Sequence, residues 1–163
     1  MIRAARQEDT VAITSIYNHY IKSSHVTFEL TPIDEDEMWS RIKQVQSVFQ
    51  LPWLVSEENG LIVGYAYATR WKQREAYRKT TEISIYMRPD SQRRGLGLPL
   101  YKSLIDQLQS LNYHTVIGGV SLPNDASIRL HEKLGFEKVA HFKEQGYKFD
   151  RWIDVGYWQL MLS

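Results

Sequence analysis

The chain has 163 residues, a length that fits one domain with a substantial buried core. Its contents of 43% hydrophobic and 24% charged residues are close to the globular average, which argues against a mainly disordered chain. The net charge is only +1, too small an excess of basic residues for a general nucleic-acid binder. The lack of cysteine excludes disulfides, thiolate metal sites and a cysteine nucleophile.

No apolar run reaches the ~18 residues that would span a membrane, and charged residues follow the N-terminus at once. We therefore expect a cytoplasmic protein with neither a membrane nor a nucleic acid as partner. The sequence has no repeat, no low-complexity tract and no linker-like segment, so residues 1–163 are predicted to form a single domain.

The first half of the chain predicts strands and helices in alternation. A short strand at residues 2–5 precedes a helix whose apolar stripe is formed by Ile13, Ile16, Tyr17 and Tyr20. Asp34 is the expected N-cap of a second helix, whose apolar face carries Met38, Ile42, Val45 and Phe49. Asn59-Gly60 predicts a hairpin turn between strands at 54–57 and 61–68, and a loop follows at 70–79.

The second half begins with a strand at residues 81–87, in which Ile83, Ile85 and Met87 share one face while Glu82, Ser84 and Tyr86 share the other. An amphipathic helix is predicted from Leu100 to Leu111, then a strand at 115–122. Asn124 or Asp125 caps a short helix that ends at Gly135, and closing strands are predicted at 139–142 and 155–162. The predicted class is α/β (or α+β), a three-layer fold with a mixed central sheet flanked by helices.

The most informative segment is Gln92-Arg93-Arg94-Gly95-Leu96-Gly97, between a predicted strand and a predicted helix. Two glycines allow close backbone approach to a ligand, and the helix N-terminus presents unpaired N–H groups, an arrangement suited to a pyrophosphate. The segment matches neither a P-loop nor the dinucleotide fingerprint, which need Gly-Lys-Ser/Thr or a third glycine. A plain glycine-rich turn remains the alternative on these residues alone.

This segment resembles the coenzyme A pyrophosphate loop of the GNAT acetyltransferase superfamily. A second segment follows in the expected order and is similar to another GNAT motif. It begins with Asn124-Asp125-Ala126-Ser127 and ends with Gly135-Phe136. A narrower resemblance, to the phosphinothricin acetyltransferases and their methionine sulfone and sulfoximine relatives, is spread along the chain. It rests on residues 16–21, 52–55, 64–68, 71–72, 122–125 and 154–160.

The resemblance implies a GNAT-like fold and acetyl-CoA as co-substrate, with no metal. It implies that the backbone of Ser84, Ile85 and Tyr86 holds the pantetheine arm. The pyrophosphate would lie on the loop formed by Gln92, Arg93, Arg94, Gly95, Leu96 and Gly97. Asn124 is expected to contact the cofactor, and it is equally suited to a plain N-cap role.

Two residues are candidates for catalysis. Glu82 is a glutamate within a strand, next to the residues expected to meet the thioester, and could take a proton from the incoming ammonium; a salt-bridged or edge-exposed glutamate is the alternative. His131 stands where many GNAT enzymes carry a tyrosine that protonates the departing thiolate, and it could equally be a packed helix residue. The other histidines show no metal-ligand spacing, so surface or packing roles are expected for them.

The resemblance also implies a loop that binds the acceptor, formed by Arg74, Glu75, Ala76 and Tyr77, with Phe28 as a further wall of the pocket. The expected partner is a small-molecule amine, and the resemblance suggests a homodimer. The predicted function is acetyl transfer from acetyl-CoA to the α-amine of a small amino-acid analogue. Two alternatives stay open: acetylation of a protein or peptide amine, and a non-catalytic acetyl-CoA sensor module.

Overall fold

The structure is a computed structural model that describes all 163 residues. One seven-stranded sheet runs through it in the order β1-β2-β3-β4-β5-β7-β6. The strands are β1 (Ile2–Ala4), β2 (Trp53–Glu58), β3 (Leu61–Arg70), β4 (Thr80–Met87), β5 (Thr115–Ser121), β6 (Glu137–Lys148) and β7 (Arg151–Met161). Only β4 and β5 are parallel; all other neighbours are antiparallel.

Four helices cover the sheet: α1 (Thr10–Ser23), α2 (Glu35–Lys43), α3 (Gly97–Ser110) and α4 (Asp125–Lys133). The predicted N-caps are confirmed, since Asp34 accepts a hydrogen bond from the amide of Glu37 at 2.8 Å and Asn124 accepts one from Ser127 at 3.1 Å. The helix predicted through Phe49 does continue past α2, but as a wider π-helical turn over Gln44–Val48. No helix is long and apolar enough to cross a membrane.

The side chains of β4 alternate between the two faces of the sheet, as the sequence predicts, and so contact different helical layers. Tyr86 packs against Tyr17 of α1 with ring centroids 5.3 Å apart. On the other face, a Cβ built on Gly97 at the start of α3 would contact Ile85 at 3.6 Å. The three-layer mixed α/β fold predicted from the sequence is therefore confirmed, with α1 on one face of the sheet and α3 on the other.

The closing hairpin differs from its prediction. β6 and β7 are longer than the predicted segments and are joined at Phe149-Asp150, which both have positive φ values of 54° and 57°. The turn lacks the Asn-Gly signal that identifies the β2–β3 turn. Most β6 side chains are exposed and the strand is interrupted by register shifts, so it has no continuous apolar alternation to reveal its length.

Candidate active site

A cleft of about 920 Å³ opens where β4 and β5 separate. The two strands pair only from Thr80 and Thr115 as far as Ile83 and Gly118. Beyond that point β4 continues to Met87 and β5 to Ser121 without pairing to each other, although each stays paired on its other side. The peptide groups of residues 84–87 that face the gap can therefore bind an extended ligand as an added strand would.

The predicted pyrophosphate loop lies at the wide end of this cleft. Arg93 and Gly95 adopt left-handed conformations, with φ values of 64° and 75°, which lets the chain turn tightly before α3 begins at Gly97. The unpaired amides of the first turn of α3 give this end a partial positive charge. The cleft is lined by most of the predicted cofactor-binding residues: Ser84, Ile85, Tyr86, Gln92, Arg93, Gly95, Leu96, Gly97 and Asn124.

Arg94 is the exception among the predicted phosphate ligands. It does not line the cleft, and its guanidinium forms an ion pair with Glu58 at 2.8 Å. Arg93 and Arg94 are adjacent in the sequence. Because Arg93 has a left-handed backbone conformation, the side chain of Arg94 points towards the β2–β3 hairpin. The ion pair therefore holds the guanidinium of Arg94 outside the cleft.

Several lining residues were not expected from the sequence. α1 and the segment after it contribute His19, Tyr20, Ser23, Ser24, His25 and Val26, and α4 contributes Arg129 and Lys133. His25 Nδ1 lies 3.1 Å from the hydroxyl of Ser121 on β5, so this histidine is part of the cleft wall. The two cations of α4 add positive charge to the cleft. Their spacing of four residues in the helix was the one signal that could have identified them.

Glu82 lies beside the point where β4 and β5 part. Its carboxylate is 3.4 Å from the position that a Cβ on Gly119 would occupy, and Gly119 lines the cleft. The Glu82 side chain forms neither a hydrogen bond nor an ion pair, so the salt-bridged alternative is wrong. Burial raises the pKa of Glu82 above the usual range of a carboxyl, which suits a general base working near neutral pH.

His131 also lines the cleft, but its chemistry does not suit the predicted role. Its Nδ1 lies 2.7 Å from the carbonyl oxygen of Ser127, which can only accept, so Nδ1 carries the proton. The Nε2 atom is buried without a partner, and burial lowers the pKa of the imidazole. This geometry favours the alternative of a packed helix residue over the predicted role of His131 as the acid that protonates the thiolate.

The contacts of the His131 ring also favour a packing role. The ring is only 2% exposed and packs edge-on against Tyr101 and Phe136, with centroids 5.3 Å and 5.1 Å apart. A Cβ on Gly118 would lie 2.3 Å from Nε2, so the histidine occupies the space that a side chain at this position of β5 would need. The ring thus fixes the distance between α4 and the sheet.

The loop between α1 and α2 is held against the β6–β7 hairpin. The ammonium of Lys148, 3% exposed, donates to the carbonyl oxygens of Ser24 at 2.7 Å and Thr27 at 2.8 Å. The ring of Phe28 lies on β6, since a Cβ on Gly146 would be 2.3 Å from it. These contacts attach the α1–α2 loop, whose residues 24–26 line the cleft, to the β6–β7 hairpin.

The predicted acceptor loop is not next to Phe28. Arg74, Glu75 and Tyr77 line a second cavity of about 260 Å³ together with Thr81, whereas Ala76 does not line it. Thr81 and Glu82 are consecutive strand residues and therefore point to opposite faces of the sheet. Within the single chain, Phe28 and residues 74–77 therefore lie apart: Phe28 packs on β6, whereas the loop lines a cavity beside Thr81.

Comparison with known proteins agrees with this geometry. A model of the acetyltransferase (GNAT) domain matches residues 2–156. The chain belongs to the GNAT acetyltransferase family. It is 40% identical to a phosphinothricin N-acetyltransferase from Streptomyces viridochromogenes, over 97% of this chain and 85% of that one. It is 39% identical to the L-methionine sulfoximine/L-methionine sulfone acetyltransferase of Salmonella typhimurium, over 99% and 94%.

Solved GNAT structures show the same architecture. A phosphinothricin acetyltransferase from Sinorhizobium meliloti, in complex with acetyl-CoA, superposes with a TM-score of 0.96 at 34% identity, covering 100% of this chain and 88% of that one. A Salmonella typhimurium protein solved with its cofactor acetyl-CoA also gives a TM-score of 0.96, at 37% identity and with coverage of 100% and 94%. The family resemblance inferred from the sequence motifs is confirmed. No group of three or more His, Cys, Asp or Glu side chains in this chain is arranged to hold a metal ion.

Proposed function

We propose that this protein transfers the acetyl group of acetyl-CoA to the α-amine of a small amino-acid analogue. The observation that carries the proposal is the cleft formed where β4 and β5 separate. An anion-binding loop lies at one end of this cleft, and the unpaired carboxylate of Glu82 lies at the other. The acceptor class follows the relatives named for phosphinothricin and for methionine sulfoximine and sulfone, at 40% and 39% identity.

The residues of the cleft fit acetyl-CoA. The free edge of Ser84, Ile85 and Tyr86 offers peptide groups to the pantetheine amides, and the loop 92–97 offers backbone amides and Arg93 to the pyrophosphate. Asn124 uses its side-chain oxygen as the α4 cap, which leaves its NH₂ group free to donate. The bound thioester supplies an activated acetyl carbonyl, and a backbone N–H of β4 is the proposed oxyanion donor.

Glu82 is the proposed general base. An α-amine is protonated near neutral pH, and Glu82, directly or through a water, accepts the proton that must leave before nitrogen attacks. The C–N bond forms as the C–S bond breaks, and the second proton that nitrogen loses on becoming an amide passes through solvent to the departing thiolate. No residue of the chain forms a covalent intermediate. Phe28, on the α1–α2 loop at the same face, is proposed as a wall for the acceptor side chain.

A thiol-release assay across an amine panel tests this function. The panel contains phosphinothricin, methionine sulfoximine, methionine sulfone, common amino acids, a polyamine and a peptide. We expect turnover on the amino-acid analogues and none on the peptide. Turnover on the peptide alone would indicate a protein acetyltransferase. Binding of acetyl-CoA with no turnover on any amine would indicate a sensor module, and the proposed function would then be wrong.

We also propose that residues 1–163 act as one domain and that the protein is a homodimer. The single sheet takes strands from both ends of the chain, so one cooperative unfolding transition is expected by calorimetry. The β6–β7 hairpin exposes Phe142, Tyr147, Phe149 and Trp152, each between 49% and 61% accessible, and such an aromatic patch is suited to an interface. Light scattering that shows only a monomer at high concentration would contradict the dimer.

The substrate class suggests where the protein acts. We propose a cytoplasmic location because the reaction consumes acetyl-CoA, which cells produce in that compartment. Fractionation of the producing cells, with detection by an antibody, checks the proposal.

A further inference from the structure

The hydroxyl of Tyr20 joins two parts of the cleft that belong to different segments of the chain. Tyr20 lies near the C-terminal end of α1, is only 8% exposed, and packs its ring against Tyr86 of β4 with centroids 5.7 Å apart. Its hydroxyl donates a hydrogen bond to the carbonyl oxygen of Met87, the last residue of β4. The same hydroxyl accepts one from the side-chain amide of Gln92 at 2.6 Å. One atom of α1 thus contacts both the end of β4 and the start of the pyrophosphate loop.

The directions of these two hydrogen bonds follow from the chemistry of the groups. A carbonyl oxygen can only accept, so the single proton of the Tyr20 hydroxyl goes to Met87. The hydroxyl oxygen must then accept from Gln92, which fixes that side chain with its NH₂ group on Tyr20. Burial raises the pKa of Tyr20, so the hydroxyl keeps its proton near neutral pH. The three groups therefore have a single arrangement of donors and acceptors.

The carbonyl group of Met87 faces the gap between β4 and β5. The amide of Arg88 donates to the carbonyl oxygen of Val63 on β3 at 2.8 Å, and successive residues of an antiparallel pair direct their peptide groups to opposite sides. The carbonyl of Met87 therefore points away from β3, to the free edge, where Tyr20 covers it. The part of the edge that stays open to a pantetheine arm ends just before this oxygen.

We propose that Tyr20 is a positioning residue for acetyl-CoA, which fixes the pyrophosphate loop relative to the open edge of β4. The NH₂ group of Gln92 is engaged inside the protein, so the phosphates meet the backbone amides of the loop and Arg93. A ligand that must occupy the edge and the loop together gains affinity when the two sites are already correctly placed. This inference shares acetyl-CoA binding with the proposed function but does not depend on the identity of the amine.

Calorimetric titration with CoA, compared with an NMR titration with pantetheine, tests the proposal. Tyr20→Phe keeps the ring but removes both hydrogen bonds, so the Kd for CoA should rise by about three- to tenfold, as expected for modest hydrogen bonds. Pantetheine lacks the pyrophosphate, so its Kd, followed by the ¹⁵N amide shifts of residues 84–87, should stay within about twofold. Gln92→Leu should weaken CoA binding as Tyr20→Phe does. The double variant should bind CoA no more weakly than either single one, because both act through one contact.

Tyr113→Phe is the matched control, since Tyr113 is also partly buried but does not line the cleft. Its Kd for CoA should equal that of the unmodified protein. Both titrations measure binding, so they decide the inference even if no amine is acetylated. Three results would overturn it. They are an unchanged Kd for CoA in Tyr20→Phe, equal weakening of CoA and pantetheine, which indicates a general loss of structure, and additive losses in the double variant, which indicate that Gln92 contacts the phosphates independently of Tyr20.

Discussion

Glu82→Gln should abolish most of the activity without weakening the fold. The carboxylate has no hydrogen-bond or ion-pair partner, so the isosteric amide leaves no former partner unsatisfied. A positioned general base typically contributes ~10²–10⁴-fold in rate, or about 2.7–5.4 kcal/mol at 1.36 kcal/mol per tenfold. We therefore expect kcat to fall by that factor while the KM for acetyl-CoA stays close to its original value.

The effect of Glu82→Gln on stability has the opposite sign to its effect on rate. Burial raises the pKa of Glu82 in the folded protein above its value in the unfolded chain. A carboxyl shifted in this direction binds its proton more tightly when folded, so its ionisation destabilises the folded state at a pH above both values. Removing the charge should leave the melting temperature at pH 7 unchanged or higher.

Steady-state thiol release and thermal melting, followed across pH, measure both effects. In the original protein, log kcat/KM should rise with pH up to the raised pKa of Glu82, and the variant should lack this rise. Glu132→Gln, an exposed glutamate on α4, is the matched control and should change neither property. A Glu82→Gln variant that kept its rate within about threefold and retained the rise with pH would refute the role of Glu82 as base.

Three further sets of variants test the surroundings of the cleft. Gly118→Ala should lower stability by ~1–3 kcal/mol, because the new methyl overlaps His131, and a double variant with His131→Ala should recover part of the loss. Arg94→Gln should barely change the KM for acetyl-CoA, because Arg94 is held outside the cleft, whereas Arg93→Gln should raise it. Lys148→Met should cost about 1–3 kcal/mol, because one buried and one partly buried carbonyl oxygen lose their donor, and it should raise the KM for the amine but not that for acetyl-CoA.

Each of these variants has an outcome that contradicts its reasoning. An unchanged melting temperature for Gly118→Ala would mean that His131 is not fixed against β5. Equal increases in KM for the two arginine variants would mean that Arg94 leaves Glu58 and reaches the phosphate. If Lys148→Met raised both KM values equally, its role would be general stability rather than placement of the α1–α2 loop.

Local signals in the sequence predicted the features that depend on a few neighbouring residues. Asp34 and Asn124 cap helices because their side chains reach an amide three residues on, and Asn59-Gly60 makes the β2–β3 turn because both residues tolerate positive φ. The loop 92–97 was found because its glycines directly precede an amphipathic helix. These features require no knowledge of how distant segments meet.

The remaining features depend on contacts between segments far apart in the chain. His25 lines the cleft only because the end of α1 meets Ser121 on β5, 96 residues away. The ring of His131 is buried only because α4 packs against Tyr101 of α3 and against Gly118 of β5. Residues 74–77 share the family pattern of an acceptor loop, yet the side of the sheet on which they fold is decided by the whole chain. Sequence patterns therefore identified candidate functional residues better than they identified the residues that these contact in the fold.

The separation of β4 and β5 also bears on self-association. A sheet normally has two edges, and an uncovered edge is a template for pairing with another chain. This sheet has a second pair of edges in its interior, formed by residues 84–87 and 119–121, with unpaired peptide groups. They lie inside a cleft whose walls include residues of α1, α3 and α4, so these helices cover the edges. The fold thus keeps these unpaired strand edges accessible to an extended small ligand while protecting them from aggregation.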